Sequence, residues 1–246
     1  MILRRVIEHL RAQHWTAVFL DFVIVVMGVF IGIQLGNLNE ARGERLQLDQ
    51  QLESLRIELQ DNQKHFSQYR AELVQQMDDV NVLRAAFKKD PPTISAKEVN
   101  ARLLNVGRVK VFAPDLTALN ELAETGGLRR LSSPKVRQAI SDWQRALDSV
   151  DRNYADGLRE RDSVFNPFLL THIVYGPLLE QSYIVGDGIE KSKFRTDVAA
   201  LAESRDVDNQ LAYRYGITGS TVYVVDALVK QTTQLIDMLG KREAKQ

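Results

Sequence analysis

Few residues in this chain are of a type that does acid–base or metal chemistry, and they are scattered. Its four histidines stand at His9, His14, His65 and His172. No two are spaced i, i+4, the spacing that sets two imidazoles on one helix face as a metal pair. His65 sits among polar residues on a helical stretch and reads as a solvated side chain. His172 lies in an apolar helical stretch and reads as a satisfied core histidine rather than a ligand. Asp78 and Asp79 are adjacent carboxylates, but neighbours on a helix point about 100° apart and cannot share a proton as a catalytic pair does. Gly186-Asp187-Gly188 lacks further carboxylates at ligand spacing and reads as a plain turn. There is no G-x-S-x-G elbow, no Walker loop and no G-x-G-x-x-G fingerprint. With no cysteine, thiolate catalysis, disulfide scaffolds and cysteine-ligated zinc are excluded. No cofactor and no metal site is expected, and an enzyme site would have to be assembled from distant positions.

Bulk composition narrows the classes further. The 246 residues carry 32 Lys+Arg and 32 Asp+Glu, a formal net charge of zero. That balance argues against a nucleic-acid binder working through bulk charge. A hydrophobic content of 44% beside 26% charged residues is globular rather than disordered.

The elements that would position any site begin with an unusual N-terminal block. Phe22 to Ile33 reads FVIVVMGVFIGI, apolar without interruption, and Ala17 to Leu35 is broken only by Asp21 and Gln34. The span 15–38 makes a helix of about 36 Å, enough for a hydrocarbon core of about 30 Å. His14 and Trp15 stand where an interfacial anchor belongs, with Asn37 and Asn39 at the other face. A cleaved signal peptide would also show Arg4, Arg5 and Arg11 before an apolar run, but this run is long, holds Asp21 and lacks a clear A-x-A site. A buried core helix would rarely carry so many β-branched residues in one block. The reading is one uncleaved transmembrane helix, 15–38. Residues 1–14 precede it as a short cytoplasmic segment, amphipathic through Ile2, Leu3, Val6, Ile7 and Leu10, with arginines suited to lipid phosphates. The small positive-inside bias puts residues 39–246 in the periplasm of a bacterium, and the same protein inverted is the alternative. Gly28, Gly32 and Gly36 form a doubled G-x-x-x-G pattern, with Asp21 on the same face, and together they make the candidate helix-pairing face.

Glu44 to Asp90 contains neither Gly nor Pro and predicts a helix of about 70 Å. Leu48, Leu52, Leu55, Leu59, Asn62, Phe66, Tyr69, Leu73, Gln76, Val80, Leu83 and Phe87 recur at alternating four-three spacing, a sustained heptad stripe. A parallel coiled-coil dimer with Asn62 fixing register is one reading. The aromatic knobs and Gln76 favour the other, a long helix of an intramolecular antiparallel bundle. Asp90-Pro91-Pro92 ends the helix. Ser95 to Glu98 is a capping box opening a helix to Gly107, and Val109 to Phe112 is an extended link. A helix from Leu116 to Thr125 is closed by Gly126-Gly127. Ser133-Pro134 starts a long helix with Val136, Ile140, Trp143, Leu147, Val150 and Tyr154 on one face, interrupted by Asn166-Pro167. Phe165 to Val185 reads as a buried helix, too polar for a second span. The last helical region puts Val225, Leu228, Leu235 and Leu239 on one face, with a kink expected at Gly216 to Gly219. The class is all-α: one transmembrane helix, then a long-helix bundle.

Leu20 to Arg42, LDFVIVVMGVFIGIQLGNLNEAR, resembles the opening of a family of bacterial single-pass membrane proteins catalogued only as a domain of unknown function. Its V-x-G-V-F-I-G-I-Q segment matches Val26, Gly28, Val29, Phe30, Ile31, Gly32, Ile33 and Gln34, and its N-x-N-E turn matches Asn37, Asn39 and Glu40. Leu122 to Trp143 is similar to the family's second stretch, while Leu38 departs from an expected tryptophan. The resemblance implies an integral membrane protein of Gram-negative bacteria with a helical extramembrane domain. It brings no catalytic residues.

These readings converge on a bitopic inner-membrane protein acting by protein–protein contact or self-association. The expected partners are the lipid bilayer, further copies of the chain and a membrane or periplasmic protein. The rival is an enzyme or ligand-binding sensor with its site between the helices, around Tyr154, His172 and Tyr183.

Overall fold

The computed structural model describes residues 15–180, 188 and 190–243; the side chains of 15–18, 21, 242 and 243 are outside that description. All regular elements among the described residues are helices. They are α1 (Trp15–Phe87), α2 (Ala96–Gly107), α3 (Thr117–Glu124), α4 (Gly127–Arg130), α5 (Pro134–Glu160), a π-turn (Arg161–Phe165), α6 (Asn166–His172), α7 (Tyr175–Leu179), α8 (Val198–Glu203) and α9 (Arg205–Glu243). The helix expected over 44–90 therefore begins at Trp15 and ends at Phe87, just short of the Asp90-Pro91-Pro92 stop. The chain divides into two compact units, 1–51 and 52–246.

In the first unit the large apolar side chains from Phe19 to Leu46, Phe22, Val29, Phe30 and Ile33 among them, are exposed, apart from the half-buried Val23. This is a helix long and apolar enough to cross a membrane, with none of its apolar window buried. Residues 1–14, expected to form the amphipathic segment, lie outside the described residues.

The second unit is built on three long helices. From Leu52 onward every member of the heptad stripe is buried except Phe87, which is partly buried. Each fully buried Leu or Phe contributes roughly 1.5–3 kcal/mol. α9 runs antiparallel to α1: Arg84 pairs with Asp208 at 2.7 Å, Arg70 with Asp226, and Gln63 donates to Thr233 at 2.7 Å. α5 is antiparallel to α9 as well. Trp143, fully buried, donates its indole N–H to Thr232 at 2.9 Å, and Glu160 meets Arg214 farther along. Val225, Leu228, Leu235 and Leu239 are buried as the periodicity requires.

A fourth layer lies along α1. The segment 95–119, helical at its two ends and non-helical over 108–116, descends α1 antiparallel to it. Asp79 accepts from Arg102 and Asn105, Gln76 meets Asn105 and Arg108, and Lys110 reaches Glu72 at 3.9 Å. Phe112 stacks on Phe66 at 5.5 Å, and Asn62 meets Asp115. A chain without its own helical hydrogen bonds needs partners for its backbone groups, and α1 supplies several, at Arg108 and Asp115. Asn62 donates to the Asp115 carbonyl (2.6 Å) and accepts from the Asp115 N–H (2.9 Å). Its place in the stripe therefore serves this strap, not the register of a coiled-coil dimer. Glu58 accepts from the N–H groups of Ala118 and Leu119, capping α3, whose own N-cap residue Leu116 makes no side-chain cap.

Local signals fare well. Ser95 accepts from the Glu98 N–H (3.2 Å) and Ser133 from the Val136 N–H (3.4 Å). Gly126 adopts φ +72°, where only glycine is comfortable. Gly127 then opens α4 instead of closing the turn. α9 runs as one continuous helix through Gly216 and Gly219. The stop at Asn166-Pro167 needs correction. Asn166-Pro167 does not stop α5 abruptly. The π-turn widens the helix first, with the Asn166 N–H reaching the Arg161 carbonyl, so the proline enters at the start of α6.

Candidate functional site

The sequence-predicted pairing face lies in the first unit. A Cβ added at Gly28, Gly32 or Gly36 would meet nothing within 4 Å. No contact among the described residues therefore requires glycine at these three places. The Asp21 side chain, the fourth member of the face, lies outside the described residues.

In the second unit the polar side chains converge where α2, α5, the π-turn and α9 meet. Glu160 and Arg214 form an ion pair with side chains only 7% and 4% exposed. Arg214 also donates to the Val106 carbonyl at 2.9 Å, and its guanidinium lies over the Phe165 ring at 5.1 Å. Two polar atoms of the pair, Glu160 Oε1 and Arg214 Nε, have no hydrogen-bond partner among the described residues. Burying such a pair costs several kcal/mol per ion in desolvation, offset only by close pairing and further hydrogen bonds. Gly107 is part of the same junction. A Cβ there would stand 2.8 Å from a Phe165 ring carbon.

Two cavities flank this junction. A narrow crevice of about 30 Å³ is lined by Gln76, Arg108, Lys110, Tyr154, Arg214 and Thr218 with their neighbours, room for about two waters. A wider hollow of about 210 Å³ has a leucine floor of Leu103, Leu104, Leu169 and Leu178, with Arg108, Arg161, Asn166 and Tyr175 around it. Arg108 lines both. Arg161 is held in its charged form chiefly by its hydrogen bond to Asp162, with help from the nearby Tyr154 and Tyr175. Tyr69 also lines the crevice. Burial first, then Tyr154 and Glu72, push its phenol up to about 12, so it stays a neutral donor.

The rival site expected around Tyr154, His172 and Tyr183 is only partly assembled. Tyr154 lines the crevice. His172 is exposed, not core: its ring stacks on Phe168 at 4.6 Å and its Nδ1 is 3.1 Å from the Phe168 carbonyl. An exposed end of α6 leaves that face to solvent. Tyr183 and most of the Gly186-Asp187-Gly188 turn lie outside the described residues, as do His9 and His14. His65 is exposed at the edge of a separate hollow beside Phe66 and Phe112. Asp78 and Asp79 diverge: Asp79 is buried against Arg102 and Asn105, and Asp78 faces away. Among the described residues no group of three or more His, Asp or Glu side chains is arranged to hold a metal ion.

The Glu160–Arg214 junction escaped the sequence because its members lie 54 residues apart on different helices. Their only sequence signal is a charged residue on the apolar side of each amphipathic pattern. Comparison with protein-family models, with curated proteins and with solved structures yields no match.

Proposed function

We propose that the protein is anchored in a bacterial inner membrane by the apolar part of α1 and acts there by binding other proteins or its own copies. The single observation behind this reading is the exposure of the large apolar side chains from Phe22 to Leu38 on one helix, all but the half-buried Val23. In water so long an apolar surface is strongly unfavourable; in hydrocarbon it is satisfied. The small arginine excess before the anchor supports a cytoplasmic N-terminus and a periplasmic helical body. The open Gly28/Gly32/Gly36 edge supports pairing of two anchors, since missing side chains let backbones approach. Anchoring confines the body to a thin layer and raises its effective concentration toward partners there. Membership of the single-pass family that Leu20–Arg42 resembles is part of the same proposal.

The test is crosslinking in native membranes followed by mass spectrometry, combined with an alkaline-phosphatase fusion after residue 246. Crosslinks to copies of the chain or to a membrane or periplasmic protein, with an active phosphatase, are expected. Absence of any protein crosslink at saturating reagent would overturn the interaction role, and an inactive phosphatase would invert the orientation.

A further inference from the structure

We propose that the end of the helical body where α4 meets α5 docks on the acidic headgroups of the bilayer that holds α1. This rests on the anchoring reading, and the experiment below separates the two. From Thr125 to Ser141 the chain holds Arg129, Arg130, Lys135 and Arg137 and no Asp or Glu. The carboxylates bounding the stretch are Glu124, exposed at the end of α3, and Asp142, which is held by Arg145. Several arginines elsewhere on the body are ion-paired, Arg70 with Asp226, Arg84 with Asp208 and Arg102 with Asp79 among them. The four cations of this stretch have no ion pair among the described residues. Two of them donate to backbone carbonyls, Arg130 to Thr125 at 3.2 Å and Arg137 to Leu131. Those acceptors are neutral, so they orient the side chains without cancelling their charge. Arg129, Lys135 and Arg137 are exposed and Arg130 is half-buried.

The fold gathers these cations at one end of the body. Trp143 of α5 meets Thr232 of α9, and Lys135 lines one hollow with Met238. The start of α5 therefore lies beside the last turns of α9, where the exposed Lys241 adds a fifth cation. Gln63 of α1 meets Thr233, so this is also the end at which α1 enters the body at Leu52. Lipid is the occupant that this placement favours. The link from Leu38 to Leu52 spans at most about 50 Å even when fully extended. An anchored α1 thus keeps the basic end within reach of headgroups, and the tether raises their effective concentration. Guanidinium takes two phosphate oxygens at once, and each Lys or Arg near an acidic bilayer surface favours contact by about fivefold.

The experiment places the full chain in lipid nanodiscs of phosphatidylcholine alone, or of phosphatidylcholine and phosphatidylglycerol in equal parts. The chain has no cysteine, so Ser132→Cys, exposed within the basic stretch, carries a single donor dye against an acceptor dye on the headgroups. Energy transfer should be higher in the acidic discs. It should fall back when salt rises from about 0.1 M to about 1 M, which shortens the screening length from about 10 to about 3 Å. A donor at Lys89→Cys, beyond Arg84 and Asp208 at the opposite end of the body, should show no such gain. The variant Arg129→Gln/Lys135→Gln/Lys241→Gln removes three cations whose side chains hold no other group among the described residues. It should keep its helicity and thermal midpoint, yet lower the docked-to-free ratio on the order of 100-fold. Should it lose helicity, Arg129→Glu alone is read by the same criterion. Equal transfer in both lipids, an equal gain at Lys89→Cys, or a variant that behaves like the parent would each overturn the docking. If the chain does not enter the discs at all, the anchoring reading fails, and cosedimentation with vesicles of the same two compositions reads the basic end alone. Binding to the acidic vesicles that the triple variant loses supports it there, and equal binding to both compositions or to neither overturns it.

Discussion

Arg214 of α9 and Glu160 of α5 form an ion pair deep in the helical body, and Arg214 spans from that carboxylate to the Val106 carbonyl at 2.9 Å. This one side chain ties α5, α9 and the end of α2 together. Truncating one partner strands the other as an uncompensated buried charge, which costs about 3–5 kcal/mol, whereas replacing both with apolar residues is often neutral. Arg214→Met should therefore lower the stability of the body by about that amount, and the double change Glu160→Leu/Arg214→Met should recover most of it. Urea denaturation of the three proteins checks this, and a double variant as unstable as the single one would contradict it.

Asn62 breaks the apolar stripe of α1, and a plain heptad would gain from leucine there. Its two hydrogen bonds to the Asp115 backbone reverse that expectation. Asn62→Leu leaves the Asp115 N–H and carbonyl to find other partners, at a cost of about 1–3 kcal/mol. The thermal midpoint should fall, and a midpoint that rises would show that the strap is not held this way.

Glu58 and Asp208 respond to pH with opposite signs. Burial raises the Glu58 carboxyl, and the nearby Asp115 charge adds to this, while the Ala118 and Leu119 amides pull the other way. An acid whose folded value lies above its unfolded one favours the fold at low pH, and that advantage is lost as pH rises through the folded value. Asp208 is lowered, first by its hydrogen bond to Arg84. Its contribution is present above the unfolded value and lost as pH falls through the folded one. Glu58→Gln keeps an acceptor for the α3 amides and removes the charge. The stability difference between Glu58→Gln and the parent should therefore turn in favour of the variant as pH rises from 4 to 8. Guanidinium titrations at the two pH values measure it, and a difference that moves toward the parent would refute the assignment.

A Cβ at Gly32 would meet nothing within 4 Å among the described residues, so Gly32→Ile should leave the helical body unchanged. If two anchors pair through the glycine edge, the branched side chain holds them apart. A membrane two-hybrid signal for self-association should drop, and an unchanged signal would remove the pairing face.

Long-range order followed from the sequence wherever one helix face decides it. The stripe from Leu52 to Leu83, the face from Val136 to Val150 and the face from Val225 to Leu239 are each a periodic pattern that can only be buried one way. The caps at Ser95 and Ser133 were legible for the same reason, being local. What was illegible depends on two distant segments at once. Asn62 and Gln76 look like flaws in a heptad until the non-helical strap needing their hydrogen bonds is placed beside them. His172 looks like a core residue from its apolar neighbours, yet the end of α6 on which it sits faces solvent. Glu160 and Arg214 are ordinary charges in their own helices. Only their meeting across two helices reveals the buried ion pair.

Everything about location rests on α1 placing its apolar stretch in lipid. Lysed cells are washed in alkaline carbonate and centrifuged at high speed, and the full chain is followed by an antibody to the helical body and by mass spectrometry of its N-terminal peptides. The chain should stay in the membrane pellet and leave it only with detergent. Recovery in the supernatant, with Phe22 to Ile33 still attached, would contradict a membrane anchor.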